Sequence, residues 1–78
     1  MTLSDLKPGF TGRILGVNER NDSALRLLEL GFTPGTLVTL RACAPSGDPM
    51  LVELRQTSMI LRRAEAACVI VAQAAYER

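Results

Sequence analysis

The clearest helical pattern in the chain is the uninterrupted run of helix-forming residues from Ala24 to Leu30. Its apolar side chains recur at the spacing of one helix face. This apolar stripe comprises Ala24, Leu25, Leu27, Leu28 and Leu30. Arg26 and Glu29 share the opposite face, and Asp22 or Ser23 can accept hydrogen bonds from the first free backbone N–H groups. The pattern predicts a two-turn helix with one buried and one exposed side.

Two turn signals end this helix. Gly31 stands where a helix stops by adopting a positive φ, and Phe32 just beyond it is placed to contact Leu27. Pro34 and Gly35 are the residues that favour the second and third positions of a type II turn. We therefore assign these five residues a structural role.

Short strands are predicted on both sides of the helix. They are Phe10–Val17, Leu37–Cys43, Met50–Leu54, Met59–Leu61 and Cys68–Ala72, with one helical turn at Arg63–Ala67. Gly12 and Gly16 lie inside the first strand, where glycine marks a bulge or the close approach of another backbone. A loop with two prolines, residues 44–49, is expected to join the second and third strands as a hairpin.

The order of these elements favours a mainly β fold. Five short strands with closely spaced turns predict a small antiparallel barrel, with one short helix inserted after the first strand. An open meander with the helix on its face is the alternative. We assign residues 1–72 to one domain and residues 73–78 to a frayed or weakly helical C-terminal tail, because Gln73 interrupts the last apolar run.

The composition is that of an ordinary folded domain, with 47% hydrophobic and 22% charged residues. Nine basic and eight acidic residues leave a net charge of +1, which is too little for strong nonspecific attraction to nucleic acid. Every apolar run is much shorter than the ~20 residues that a membrane helix needs. These features predict a cytoplasmic protein that neither spans a membrane nor binds nucleic acid.

The sequence lacks the residues that most catalytic sites need. It has no histidine, the usual general base, and no glycine-rich phosphate loop. The eight carboxylates are scattered singly and are expected to face solvent. Cys43 and Cys68 have no CxxC neighbour and are expected to be buried free thiols. We expect no enzyme activity, no cofactor and no metal site.

Binding to another protein is the function class that remains. Loops and short helices beside a rigid barrel commonly carry function, so the exposed side of the helix and the hairpin tip are the predicted docking surface. The candidate partner-binding residues are Arg26, Glu29, Pro45, Asp48, Met50 and Arg62. The structural alternative is that both regions merely face water. Homo-oligomerisation through an exposed barrel edge is left open.

Four segments of the chain form a distinctive combination, and they read LSDLKPGFTGRILGV, LRLLELGFTPGT, RACAPSGDPMLVEL and ILRRAEAACVIV. Together they resemble the FeoA family of small proteins associated with bacterial ferrous iron uptake. The likeness runs from Leu3 to Val71 and departs at Gln56, where many relatives have glycine. The resemblance implies an SH3-like barrel, in agreement with the barrel predicted from strands and turns.

The resemblance also implies a function. A protein of this kind is expected to be a cytoplasmic accessory protein of ferrous iron uptake. It would bind the cytosolic part of the membrane Fe(II) transporter FeoB and associate with the membrane through that partner. The alternative is a metal-responsive regulatory module, because similar barrels occur at the ends of metal-dependent repressors. The resemblance carries over no catalytic residue.

Overall fold

The computed structural model describes the backbone of residues 1–76 and the side-chain surroundings of residues 1–72. In chain order the elements are a 3₁₀ turn at Leu3–Asp5, β1 at Phe10–Val17, α1 at Ala24–Leu30, β2 at Leu37–Cys43, β3 at Met50–Leu54, β4 at Thr57–Leu61, α2 at Arg63–Ala66 and β5 at Val69–Tyr76. The five strands form one antiparallel sheet in the order β4-β3-β2-β1-β5. The predicted mainly β fold is confirmed.

Two strands are longer than the sequence pattern predicted. β4 begins at Thr57 instead of Met59. β5 continues to Tyr76 and pairs there with Phe10, although residues from Gln73 onward were predicted to be frayed or weakly helical. The tail prediction is wrong for residues 73–76 because their strand partner, β1, lies far away in the sequence, and local composition does not reveal it. Residues 77–78 of the predicted tail lie outside the described residues.

The two glycines of β1 sit at irregularities in the sheet, as predicted. The pairing of β1 with β5 shifts register between Thr11 and Gly12 and again between Ile14 and Gly16. A Cβ atom added to Gly12 would lie 3.1 Å from the Cβ of Val71, so β5 approaches β1 closely there. The shift beside Gly16 has a further effect: Ile14 and the residue after Gly16 both reach the core, where strict alternation would place them on opposite faces.

The core lies between the sheet and helix α1. Its fully buried larger side chains are Leu3, Ile14, Leu27, Phe32, Val38, Leu40, Met50, Val52, Leu54, Leu61, Val69 and Val71. Helix α1 buries Ala24 and Leu27, while Leu28 is half-buried against the core. Leu25 and Leu30, predicted to widen the buried stripe, are exposed. A two-turn helix touches the sheet along one line, so the side chains that flank this line stay outside.

The end of α1 has the predicted geometry. Gly31 adopts φ 111°, and the N–H of Phe32 donates to the carbonyl of Leu27 at 3.0 Å. The turn through Pro34 then places Gly35 at φ 91°, the conformation that a type II turn requires. Leu27 and Phe32 are both fully buried in the core. This segment fixes the direction in which the chain leaves the helix.

The start of α1 differs from the prediction. Ser23 occupies the capping position, but its side chain makes no capping hydrogen bond. Asn21 takes over instead: its side-chain oxygen accepts from the N–H of Ser23 at 2.8 Å, and its carbonyl accepts from the N–H of Ala24 at 3.1 Å. A side-chain turn just before the helix has therefore replaced the predicted cap.

A two-residue turn joins β3 to β4. Arg55 and Gln56 both have positive φ, 51° and 68°, as in the type I′ turn that suits a β-hairpin. Glycine is the residue favoured at the second of these positions, because a residue with a side chain pays about 1 to 2 kcal/mol to adopt the left-handed backbone conformation. Gln56 is thus held in a conformation that it does not prefer.

Replacing Gln56 with glycine is expected to stabilise the protein by about 0.5 to 1 kcal/mol, because the relief of strain exceeds the extra chain entropy of glycine. Chemical denaturation would measure the change. Ser58→Gly is the matched control within β4, where extended backbone gives glycine no advantage, and this variant should be less stable than the wild type. An equal loss of stability in both variants would contradict the strain at Gln56.

Candidate docking surface

Helices α1 and α2 are joined by one carboxylate. The guanidinium of Arg26 on α1 forms an ion pair with Glu65 on α2. The other carboxylate oxygen, Oε1 of Glu65, accepts from the backbone N–H of Arg62 at 3.0 Å. The Glu65 side chain is only 18% exposed, so the expectation that every carboxylate faces solvent is wrong here. The signal in the sequence was the spacing of a capping box, in which a glutamate follows the N-cap residue, here Arg62, by three positions.

Arg63 ties three distant segments together. Its Nε donates to the carbonyl of Gly47 at 3.0 Å, and its NH1 donates to the carbonyl of Ser4 at 2.8 Å. Its backbone N–H donates to Oδ1 of Asp48 at 3.0 Å. Asp48 therefore satisfies the first free N–H of α2 from outside the helix, as an N-terminal cap would. The hairpin loop and the N-terminal segment are both fixed to α2.

Contacts through α2 bring together three of the six predicted partner-binding residues: Arg26, Asp48 and Arg62. Glu29 and Pro45 are exposed, on α1 and in the hairpin loop respectively. We call these five exposed residues the helical surface. Sequence reasoning missed Glu65 and Arg63, whose contacts connect Arg26, Asp48 and Arg62.

Met50 does not belong to this surface. The sequence prediction placed it at an exposed hairpin tip, but its side chain is 0% exposed. Met50 is the first residue of β3 and points inward together with Val52 and Leu54, because alternate residues of a strand share a face. Its assignment as a partner-binding residue is corrected: it is part of the core.

A shallow pocket opens beside the N-terminal segment. It has a volume of about 300 Å³ and is lined by Met1, Asp5, Lys7 and Phe10. The N–H of Thr2 donates to the Asp5 carboxylate at 2.9 Å, and this hydrogen bond lowers the pKa of Asp5. The carboxylate is thus kept ionised by a structural contact, which gives it a role in holding the 3₁₀ turn.

The described residues hold no cluster of metal-ligating side chains. Within residues 1–76, no group of three or more His, Cys, Asp or Glu side chains could hold a metal ion. Cys43 and Cys68 are free thiols, of which Cys68 is buried and donates to the carbonyl of Ala64. Over the same residues, no helix is long and apolar enough to cross a membrane.

Comparison with known proteins identifies relatives of this chain. A family model described as the FeoA domain matches residues 1–73. A fusion of Fe(2+) transport protein A and the Fe(2+) transporter FeoB from Porphyromonas gingivalis is 37% identical over 71 residues. That match covers 91% of this chain but only 8% of the fusion protein, so the chain spans a small part of this relative.

Solved structures agree in sequence and in fold. The zinc complex of FeoA from Stenotrophomonas maltophilia, described as a prokaryotic SH3 domain protein, is 37% identical, with a TM-score of 0.83. The match covers 92% of this chain and 89% of that one. Iron(II) transport protein A from Clostridium thermocellum is 32% identical, with a TM-score of 0.85, over 94% of this chain and 45% of that one. The fold is therefore the SH3-like barrel, and this chain belongs to the FeoA family, which is linked to ferrous iron transport.

Proposed function

We propose that this protein is a cytoplasmic accessory protein of ferrous iron uptake that docks on the cytosolic part of a FeoB-type transporter. The observation that carries the proposal is the P. gingivalis fusion, in which a segment 37% identical to this chain and FeoB belong to one protein. Fusion holds two partners at high effective concentration, which favours a contact between them. The FeoA family is an accessory, transport-associated family that is not known for catalysis.

The helical surface has properties that suit docking. It exposes both signs of charge, those of Arg26 and Arg62 and those of Glu29 and Asp48. Such a surface discriminates among partners by charge complementarity. The contacts of Glu65 with the Arg26 side chain and the Arg62 backbone pre-order this part of the surface, which reduces the conformational entropy lost when a partner binds.

Calorimetric titration of the protein with the cytosolic part of the transporter tests this proposal. We expect binding, and we expect Arg62→Glu to weaken it about tenfold, because the Arg62 side chain is exposed and reversing its charge places a like charge against the partner. Arg20→Glu is the matched control, since it makes the same charge change in the exposed loop before α1. Absence of binding at high micromolar concentration, without nucleotide and with either GDP or a GTP analogue, would refute docking.

A metal-responsive regulatory role, the alternative that the resemblance leaves open, stays a prediction. No contact or side-chain cluster among residues 1–76 favours it over docking.

A further inference from the structure

Three exposed aliphatic side chains lie together on the outer side of the sheet, away from the core. Leu15 on β1, Leu37 on β2 and Ile70 on β5 are 56%, 47% and 40% exposed. Exposed aliphatic residues that stand singly need no explanation, but a contiguous group on a folded protein indicates an interaction surface.

The register of the strands makes these three side chains neighbours. Arg13 stands directly opposite Leu37, so Leu15, two residues further along β1, lies diagonal to Leu37 on the same face. The register shift between Ile14 and Gly16 leaves Leu15 beside the position where Ile70 pairs. The three side chains thus extend across β2, β1 and β5.

Two guanidinium groups flank Leu37. Arg13 donates to the carbonyl of Gly35 at 3.2 Å, and Arg55 donates to the hydroxyl of Thr36 at 3.2 Å. Both acceptors are neutral, so neither hydrogen bond compensates the positive charge of its arginine. Among the described residues, neither arginine has a carboxylate partner. We call the surface formed by Arg13, Leu15, Leu37, Arg55 and Ile70 the sheet face.

Glu53 lies on the same side of the sheet and is already engaged by another arginine. Glu53 stands opposite Thr39 in the pairing of β2 with β3. Thr39 is two residues from Leu37 along β2 and lies on the same face. The carboxylate of Glu53 accepts from Nε of Arg41 at 2.6 Å. Within the part of the chain that the structure describes, no carboxylate pairs with Arg13 or Arg55, and a partner can supply one.

We propose that the sheet face is a second docking surface and that its occupant is a protein segment with aliphatic side chains flanked by carboxylates. This inference rests on the proposed function, because the cytosolic part of the FeoB-type transporter would supply the segment. Burial of Leu15, Leu37 and Ile70 provides the apolar contribution to binding, and the two arginines set orientation and association rate.

Charge argues against the other occupants of this face. Two-fold docking of a second copy would place two faces against each other that both carry the positive charge of Arg13 and Arg55, and like charges at an interface oppose association. Single-stranded nucleic acid favours aromatic stacking platforms, whereas the three exposed side chains here are aliphatic. An acidic, apolar protein segment matches both properties of the face.

The test measures the affinity of the cytosolic part of the transporter for variants of the sheet face. Arg13→Glu combined with Arg55→Glu should weaken binding at least about tenfold, and Leu37→Ser should weaken it about threefold or more. Raising NaCl from about 50 to about 300 mM should weaken the wild type more than the double variant, because salt screens the charges that the variant has lost. Ile60→Ser, at an exposed aliphatic position on β4, is the control and should bind as the wild type does.

Arg13→Lys combined with Arg55→Lys keeps the charge and should retain most of the affinity, while circular dichroism checks that every variant is folded. If the wild type binds and the sheet-face variants bind equally well, the proposal that the sheet face is a docking surface is refuted. The proposal that the protein binds the transporter then still stands. If the wild type does not bind, both proposals fail. If the same substitutions instead abolish self-association, or binding to single-stranded RNA or phosphatidylglycerol vesicles, the assignment of a protein segment is overturned.

Discussion

Replacing Leu27 with alanine is expected to lower the free energy of unfolding by about 2 to 5 kcal/mol, the usual cost of truncating a fully buried leucine. Leu27 is 0% exposed and lies in the core with Phe32. A two-turn helix is marginal without tertiary packing, so losing this contact also weakens α1 itself. Small domains have a total stability of about 5 to 15 kcal/mol, and a loss of this size would leave a measurable fraction unfolded.

Urea denaturation followed by circular dichroism measures this loss, and Leu25→Ala provides the control on the same helix. Leu25 is 67% exposed, and its truncation should change stability by no more than about 0.5 kcal/mol. Equal effects of the two substitutions would mean that the buried side of α1 is assigned incorrectly.

Replacing Met50 with alanine should likewise cost about 2 to 5 kcal/mol, because the side chain is fully enclosed where β3 begins. Any loss of affinity for the transporter in this variant should therefore follow the fraction of unfolded protein, which thermal denaturation monitors in parallel with the binding measurement.

Pro45→Ala is the control for Met50, since Pro45 is exposed in the adjoining hairpin loop and its truncation should leave the unfolding midpoint nearly unchanged. If Met50→Ala kept full stability but lost binding, Met50 would be a contact residue after all, and its place in the core would be wrong.

Local sequence was sufficient where one short segment determines its own conformation. The helix from Ala24 to Leu30, its stop at Gly31 and the turn at Gly35 all follow from spacing, glycine and proline. The bulges beside Gly12 and Gly16 were also readable, because glycine within a strand has few other uses.

The errors arose where distant segments decide the outcome. Burial of Met50 was implied by strand alternation, but the neighbouring loop composition suggested an exposed tip. The continuation of β5 beyond Ala72 depends on backbone pairing with β1, which a sequence pattern does not display. A strand of this kind is stabilised by the strand that it pairs with. Its own residues indicate only that they are compatible with a strand conformation.

The candidate site shows the same division. Exposure of Arg26 and Glu29 follows from helix periodicity. The ion pair between Arg26 and Glu65, and the hydrogen bonds of Arg63, join segments that only the fold brings together. The sheet face was hidden for a further reason: its arginines and aliphatic residues come from four separate stretches of sequence.

The contact between Arg63 and Ser4 has a consequence for how the protein is made. These residues are 59 positions apart, and β1 likewise pairs with β5, which is synthesised after the other four described strands. Contacts between such distant positions form late and slow folding. While the ribosome is still adding β5, the nascent chain presents one edge of β1 unpaired, and an unpaired strand edge is prone to aggregation. Any shortened version that ends before Val69 would keep that edge open permanently.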